Sequence, residues 1–283
     1  MIRKTTKAIL MLVVLFTSSC QRDELSTSGK TIFADAKAPG LTSASIISDP
    51  SCQDGVYWGS NVTFNSSQIR SFISIKNSTP QEVGYQIPNT AFQGLPNANA
   101  AENQTILIPL PSVACQPLLF DHLTFNWDPM GHDPQGVYSV PHFDFHMYTI
   151  SVARRLAINI NDNFILVPPD PGYMPSGYYG PIGPLSALGS HWVDTTAPEF
   201  NGGTFTKTFV YGSYNGEVIF EEPMVTLEYL GSSILADVVP IRQPAQYQRN
   251  GYYPTDYRII KDSKYTTVSL TGFIYRTASL PTY

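Results

Sequence analysis

The chain has 283 residues, a formal net charge of −5 and only 14% charged residues, whereas aromatic residues make up 12%. Intrinsically disordered chains have few aromatic residues and much more charge, so most of this chain is predicted to fold. The acidic balance and the absence of a basic patch exclude the electrostatic pattern of a nucleic-acid-binding protein.

The N-terminus has the pattern of a targeting signal. Three basic residues lie near the start, an apolar run follows over residues 8–16, and small residues precede Cys20. The run is shorter than the ~20 residues that a bilayer-spanning helix needs. The small residues before the cysteine resemble the lipobox of bacterial lipoproteins, although Thr17 stands where leucine is usual. We predict that residues 1–19 are a lipoprotein signal peptide and that Cys20 is acylated; a plain secretory signal is the alternative.

The segment after Cys20 predicts where the protein is anchored. Removal of residues 1–19 takes away three positive charges and no negative ones, so the net charge changes from −5 to −8. Residues 21–24, Gln-Arg-Asp-Glu, resemble the acidic signals of lipoproteins on the outer face of the outer membrane; an ordinary linker is the alternative. Residues 20–45 are predicted to form a flexible tether. We expect a lipid anchor in the outer membrane, on its periplasmic or exterior side, and one β-rich domain over residues 46–283.

Two further cysteines, Cys52 and Cys115, lie inside the predicted domain. In the oxidising envelope this pair is able to form one disulfide. Two buried free thiols are the alternative, because the sequence carries no information on the distance between them.

Short runs of β-branched and aromatic residues, bounded by turn residues, recur along the domain. Ser151 is a candidate cap for the best predicted helix, and the Pro- and Gly-rich residues 167–189 are predicted to form a long irregular loop. These features predict an all-β fold, a single antiparallel β-sandwich or barrel with long Pro/Gly-rich loops and little helix. The predicted strands cover residues 56–58, 71–75, 85–87, 105–110, 121–127, 141–150, 205–210, 217–220, 225–230 and 265–275.

One predicted strand carries a row of metal-ligand residues. Along residues 141–148, Phe and Met alternate with His142, Asp144 and His146, which is the period of a strand with one face in an apolar core. Imidazole and carboxylate groups on the other face are ligands of divalent metals. On a flat strand His142 and His146 lie ~13 Å apart. Either the strand bends, or one histidine binds the ion while Asp144 orients it as a hydrogen-bond acceptor.

A complete site needs ligands from other segments. His132 arrives from the preceding turn beside Asp133, to which we assign a supporting role like that of Asp144. His191 follows the long loop. Two adjacent acids, Glu221 and Glu222, offer one carboxylate to the site, because neighbours on a strand point to opposite faces. His122 is expected to be exposed and without a role.

Four blocks of this sequence resemble the TTHB210-like (DUF5602) family. The family has a Gly-His-Glu-Pro turn, a Pro-His-Phe-Asp-x-His-Phe-Tyr strand, a Met-Gly-x-His block and a Glu-Pro-Met-x-Thr block. The corresponding segments here are 125–134 (Phe-Asn-Trp-Asp-Pro-Met-Gly-His-Asp-Pro), 141–148 (Pro-His-Phe-Asp-Phe-His-Met-Tyr), 188–194 (Leu-Gly-Ser-His-Trp-Val-Asp) and 222–226 (Glu-Pro-Met-Val-Thr).

The resemblance covers roughly residues 92–275. Asp133, Met147 and Leu188 depart from the family pattern, and none of them is a proposed ligand. The resemblance implies a β-rich fold that is able to form a homo-oligomer, and it implies no particular reaction. It also selects Glu222 rather than Glu221 as the carboxylate of the site.

The sequence thus predicts a site for a divalent, zinc-like metal ion, with a metal-free His-Asp-His hydrogen-bond network as the alternative. The favoured function is a binding module that holds the ion or a small polar ligand at the cell envelope. A metal-dependent enzyme, either a hydrolase or cupin-like, and a structural, homo-oligomeric envelope protein are the other two hypotheses. The predicted metal ligands are His132, His142, His146, His191 and Glu222, with Asp144 and Asp133 in support.

Overall fold

Antiparallel strands make up most of the described structure, a computed structural model that covers residues 52–96, 105–113, 118–233 and 235–279. Two short helices interrupt them, α1 (Val152–Leu156) and α2 (Leu227–Leu230). In chain order the strands are β1 (Gly55–Trp58), β2 (Val62–Phe64), β3 (Ser67–Lys76), β4 (Thr79–Pro88), β5 (Ile106–Pro109), β6 (His122–Asp128), β7 (His142–Tyr148), β8 (Tyr178–Leu185), β9 (Gly189–Asp194), β10 (Lys207–Tyr214), β11 (Glu217–Thr226), β12 (Leu235–Pro240), β13 (Gly251–Tyr253), β14 (Asp256–Lys261), β15 (Tyr265–Thr271) and β16 (Ile274–Arg276).

The strands form two seven-stranded sheets and one small two-stranded sheet. The first large sheet has the order β1-β3-β4-β15-β14-β12, with β2 beside β3, and the second has the order β5-β6-β7-β11-β10-β9-β8. Apolar side chains from both sheets form one shared core. For example, Tyr85 on β4 packs its ring 5.2 Å from that of Phe145 on β7. The predicted all-β fold is confirmed, and its architecture is the sandwich.

Tyr85 also connects the two sheets by a polar contact. Its side chain is fully buried, and its hydroxyl lies 2.8 Å from the carbonyl oxygen of Thr124 on β6 and 2.6 Å from that of His146 on β7. The hydroxyl proton is therefore donated to the paired backbones of β6 and β7. This contact holds the opposite sheet directly against the backbone of His146.

Strands β6 and β7 are buried on both faces, whereas the sequence predicted an exposed His122 on the polar face of β6. Their apolar row lies in the core between the sheets, as expected. The polar row is covered by the segments that follow β7, which pack a second apolar cluster, including Ile158, Ile165 and Leu188, against Tyr148. A sequence period cannot show that a connecting segment folds back over the polar face.

Several predicted element boundaries are wrong, and three of them bear on the architecture. Residues 167–189 include the edge strand β8, whose pairing with β9 is broken by register shifts. The predicted strands 217–220 and 225–230 are the single strand β11 followed by α2, because β11 continues through Pro223. Pairing with β7 is interrupted between Glu221 and Met224, which accommodates the missing proline N–H. The predicted strand 265–275 ends at Thr271 and is followed by Gly272, with φ 68°.

One local prediction is confirmed. Ser151 caps α1, because its side chain accepts a hydrogen bond from the Arg154 backbone N–H. Asn215 and Gly216 both have positive φ angles, as a two-residue turn between β10 and β11 requires. Cys52 is disulfide-bonded. The signal peptide, Cys20, the tether and Cys115 lie outside the described residues, so the pairing of Cys52 with Cys115 stays a prediction.

The carboxylate of Glu217 on β11 predicts an acid-dependent loss of stability. Hydrogen bonds from Arg154, at 2.8 and 3.0 Å, and the charge of Arg249 lower the pKa of Glu217 below its usual range. A lowered folded-state pKa stabilises the fold above the unfolded-state pKa, and this contribution is lost as pH falls through the folded-state pKa. We expect Glu217→Gln to flatten the fall in unfolding free energy below about pH 4, measured by urea denaturation.

The effect should be small, because all three side chains are about a third exposed or more. Glu228→Gln on α2 is the matched control, since the Glu228 carboxylate has no ion pair among the described residues. An equal flattening in both variants would contradict the assignment to Glu217.

Candidate metal centre

The polar face of the second sheet collects histidines and acids from neighbouring strands. Register pairs Asn126 with Asp144 and Asp128 with His142 between β6 and β7. On the other side of β7, strand β11 contributes Glu222, and β9 contributes His191 two strands further on. Because alternate residues of each strand face this side, the sheet gathers ligand residues that are up to about 80 positions apart in the chain.

These residues form two groups, not the single centre that the sequence predicted. The first triad consists of His132, His142 and Asp144, and the second triad consists of His146, His191 and Glu222. Within each triad one ligand atom per residue lies within 4.8 Å of the others. The division follows from strand geometry, because residues four apart on an extended strand are too distant for their side chains to meet easily at one ion.

In the first triad, both imidazoles point Nε2 at Asp144. The Nε2 atom of His132 lies 3.4 Å from Oδ2, and that of His142 lies 3.2 Å from Oδ1. The Nδ1 atom of each ring is 2.7 Å from a backbone carbonyl, that of Asp133 for His132 and that of Val140 for His142. When Nδ1 of a neutral imidazole donates its proton to a carbonyl oxygen, Nε2 carries no proton and its lone pair is free to bind a metal.

The second triad is more deeply buried. The Glu222 carboxylate places Oε1 3.4 Å from Nε2 of His146, and Oε2 4.0 Å from Nε2 of His191. His191 Nδ1 lies 3.1 Å from the carbonyl of Gly183 in β8, so its Nε2 also faces the carboxylate. Both ring nitrogens of His146 and Oε2 of Glu222 are buried and have no hydrogen-bond partner among the described residues.

Burial sets the protonation of the second triad. It lowers the pKa of His146 to about 3 and, together with the charge of His132, that of His191 to about 4. Burial and the charge of Asp144 raise the pKa of Glu222 well above its usual range. The two imidazoles are therefore neutral near pH 7, which is the form that binds metals.

The first triad has an internal charge balance that the second lacks. Burial raises the pKa of Asp144, but His142 and His132 outweigh it, so that pKa lies well below its usual range. Burial lowers the pKa of His132, but the hydrogen bond and charge of Asp144 outweigh this and raise it to about 9. His132 and Asp144 are therefore able to form an ion pair without a metal.

Asp128, at the end of β6, is a member of this environment that the sequence analysis missed. Burial and the neighbouring Asp144 raise the pKa of Asp128 to about 7. The signal was present in the sequence, because Asp128 continues the alternation of His122, Thr124 and Asn126 on one face of β6.

The supporting roles also differ from expectation. Asp144 lies among the candidate ligand atoms of the first triad rather than behind a histidine. Asp133 supports His132 through its backbone carbonyl, not through its carboxylate. The hydrogen-bond acceptors behind three of the imidazoles are all main-chain carbonyls, which a sequence pattern does not reveal.

The expectation that His122 is exposed is wrong. Its ring is buried and stacks on Tyr148 at a centroid distance of 5.0 Å. Nε of Arg155 donates to His122 Nε2 at 3.1 Å, and Asp121 pairs with Nδ1 at 2.9 Å. Every ring nitrogen of His122 thus has a partner, so this histidine has a structural role.

Glu221 and Glu222 point to opposite faces of β11, as adjacent strand residues must. Glu222 belongs to the second triad, whereas Glu221 is buried on the other side of the sheet among Tyr211, Tyr247 and Tyr253. Two neighbouring buried carboxylates therefore lie in separate environments, and each is a natural control for the other.

A cavity of about 800 Å³ lies directly over the two triads. His132, Asp144, His146 and His191 contribute to its floor, while His142 and Glu222 lie beneath and are fully buried. Each triad thus contributes two residues to the cavity lining, although His146, like Glu222, is only 1% exposed. An ion held by either triad would lie next to the cavity.

Comparisons of the chain with protein-family models, with curated proteins and with solved structures give no match. The resemblance to the TTHB210-like family therefore stays a prediction. In the described part of the chain, none of the helices has the length and apolar character required to cross a membrane.

Gly212 on β10 keeps the aromatic floor of the second triad in place. A Cβ atom at this position would lie 1.8 Å from the ring of Phe220, which packs 4.9 Å from His146 and 5.4 Å from His191. We expect Gly212→Ala to force the Phe220 ring aside and to reduce the unfolding free energy by about 1–3 kcal/mol, measured by urea denaturation.

The double variant Gly212→Ala/Phe220→Leu tests the cause. The smaller leucine makes room for the new methyl group, so the loss should be less than the sum of the two single losses. Strict additivity of the two substitutions would show that the ring of Phe220 does not mediate the effect of Gly212→Ala.

Proposed function

We propose that this protein is a metal-binding module that holds a divalent transition-metal ion in the second triad, with His146, His191 and Glu222 as its protein ligands. The observation that carries the proposal is a set of buried, unpaired ligand atoms that converge at the spacing of a coordination sphere. The first triad, which also combines two histidines with one acid, is proposed as a second, weaker site.

Three of the four ligand separations match the spacing of a coordination sphere. With metal–ligand bonds of ~2.0–2.1 Å, two ligand atoms of a tetrahedral site lie roughly 3.3 Å apart. The separations between imidazole nitrogen and carboxylate oxygen are 3.2, 3.4, 3.4 and 4.0 Å in the two triads, and the 4.0 Å separation joins His191 to Glu222.

The unpaired atoms support the same conclusion. A buried polar atom without a partner costs about 1–3 kcal/mol, and the second triad has three such atoms. Nε2 of His191 faces Glu222 with its lone pair, because Nδ1 points at a carbonyl. One cation would give Nε2 of His146, Nε2 of His191 and the Glu222 carboxylate a common partner and would leave Nδ1 of His146 as the one unpaired atom of the three.

The donor set narrows the choice of metal. Two imidazoles and one carboxylate are typical of Zn²⁺ sites and of Fe²⁺ sites with open positions, whereas Mg²⁺ and Ca²⁺ prefer oxygen ligands alone. In the first triad the ion has to compete with the His132–Asp144 ion pair, which is why we propose weaker binding there.

The proposal is tested by metal analysis of the purified, untagged protein after reconstitution with Zn²⁺ and dialysis. We expect at least one tightly bound ion in the parent and its loss in Glu222→Gln and His191→Ala. Glu221→Gln, which changes the adjacent buried carboxylate on the opposite face, should retain it. A parent protein without bound metal, or equal metal contents in Glu222→Gln and Glu221→Gln, would contradict the proposed site.

A metal-dependent enzyme is the second candidate, and the open cavity favours it. Three protein ligands leave coordination positions free, and His146 and His191 line the cavity in which a substrate would lie. A closed structural site would instead have all its positions filled by the protein. Turnover of an ester or another small substrate that is restored by Zn²⁺ or Fe²⁺ in the parent, and absent in Glu222→Gln, would identify the enzyme.

We also propose that the protein is anchored in the bacterial envelope by a lipid on Cys20. The basic and apolar residues before Cys20 support this proposal, and so does the disulfide bond of Cys52, a bond that forms in oxidising compartments. In bacterial cells we expect Cys20→Ala to lose labelling by radioactive palmitate and to leave the membrane fraction. Unchanged labelling would contradict the anchor.

A further inference from the structure

We infer that the cavity takes an amphiphilic small molecule with one metal-binding oxygen head group and an apolar body. The inference rests on the proposed metal site and adds the chemical class of its ligand. It follows from how the polar and apolar residues are distributed around the cavity, from the side chains at its mouth and from the charges that line it.

Polar and apolar side chains both line the cavity. The polar ones lie on β6, β7 and β9 and in the loop between β6 and β7, and they include both histidines of the second triad. Of the apolar ones, Val193, Val210 and Met224 lie on the same sheet face as the triads, and Tyr138 and Leu188 come from connecting segments. The volume of about 800 Å³ lies within the range of small-molecule sites, and such a lining is typical of them.

The mouth of the cavity is apolar as well. Ile160, Tyr179 and Leu185 line the cavity and are 45%, 64% and 41% exposed. They come from the segment after α1 and from the edge strand β8. These exposed apolar residues continue the cavity lining to the protein surface. A ligand would therefore contact apolar side chains over the whole distance from the cavity to the solvent.

The charges of the cavity exclude polyanionic ligands. Among the described lining residues there is no lysine or arginine, whereas Asp128, Asp133 and Asp144 all contribute carboxylates. A nucleotide or a sugar phosphate would therefore meet repulsion without a compensating cation. A single carboxylate or hydroxamate head can be balanced by the ion itself.

Neutral hydrogen-bonding groups are also present in the described lining, namely Asn126, Thr195 and the phenols of Tyr138 and Tyr179. Apolar side chains nevertheless form much of the lining, so the burial of an apolar body against them would contribute to binding.

The head group has a defined location. Glu222 and His146 are each 1% exposed, while His191, at 16%, is the most accessible residue of the second triad, and both histidines line the cavity. An ion held among these three residues would lie next to the cavity, so an oxygen ligand would approach it from there. The body of that ligand would then extend past Ile182 and Leu185 to the mouth.

The test uses Zn²⁺-loaded protein and two probes with the same head group, acetohydroxamate and octanohydroxamate, titrated by calorimetry. We expect octanohydroxamate to bind at least tenfold more tightly, because its longer chain buries additional methylene groups. Leu185→Asp should reduce this preference at least fivefold without loss of metal. The matched control Leu156→Asp, at a residue that is 60% exposed on α1 and outside the cavity lining, should retain the preference.

The metal content of every sample separates the two proposals. Equal affinity for the two hydroxamates in protein that contains Zn²⁺ would overturn the inference and leave the metal site intact. ATP binding more tightly than octanohydroxamate would overturn it as well. Protein that fails to retain Zn²⁺ would instead contradict the proposed function. A second wall variant, Ile182→Asp, replaces Leu185→Asp if that variant does not fold, as judged by near-UV circular dichroism.

Discussion

Strand β7 is buried on both faces, and the rest of the site depends on this constraint. One face supplies phenylalanine and methionine to the core between the sheets, so the strand cannot shift by one residue without exposing them. The other face must then bury His142, Asp144 and His146. Buried polar groups are costly unless they find partners, and the neighbouring strands supply those partners. The arrangement of histidines and acids follows from the packing of the apolar side.

Each triad combines two histidines with one acid, but their electrostatics differ. In the first, Asp144 is flanked by two imidazoles, and His132 is partly exposed, so a proton can balance the carboxylate. In the second, charge on each of the three residues is disfavoured by burial. Two imidazoles and one carboxyl group are therefore suited to a proton in one location and, in our proposal, to a cation in the other.

Much of this arrangement follows from local sequence patterns. The alternation along residues 141–148 predicted the strand, its core face and its polar row, and the ~13 Å separation of His142 and His146 indicated that one ion would not easily join both. His132 and His191 were identified by residue type alone. Patterns of this kind report which face a residue occupies, because side-chain direction has a period of two.

Other features depend on contacts that no local pattern encodes. Burial of His122 results from Arg155 and Tyr148, which reach it from a helix and from the paired strand. The carbonyls that orient three imidazoles belong to loops and to β8, and the continuity of β11 through Pro223 depends on an interruption in its pairing with β7. These are consequences of tertiary register and chain reversal, which a single sequence leaves open.

The hydroxyl of Tyr85 gives the sheet without ligands an influence on the proposed coordination geometry. It contacts the carbonyl oxygen of His146, so the main chain beneath this imidazole is braced from the far side of the sandwich. Sliding of one layer over the other would carry the Nε2 atom of His146 with it. Mechanical stiffness of the whole domain, rather than the ligand loops alone, would then limit which ionic radius the second triad accepts. Substitutions around Tyr85 that never touch the cavity are thus a route to altered metal preference.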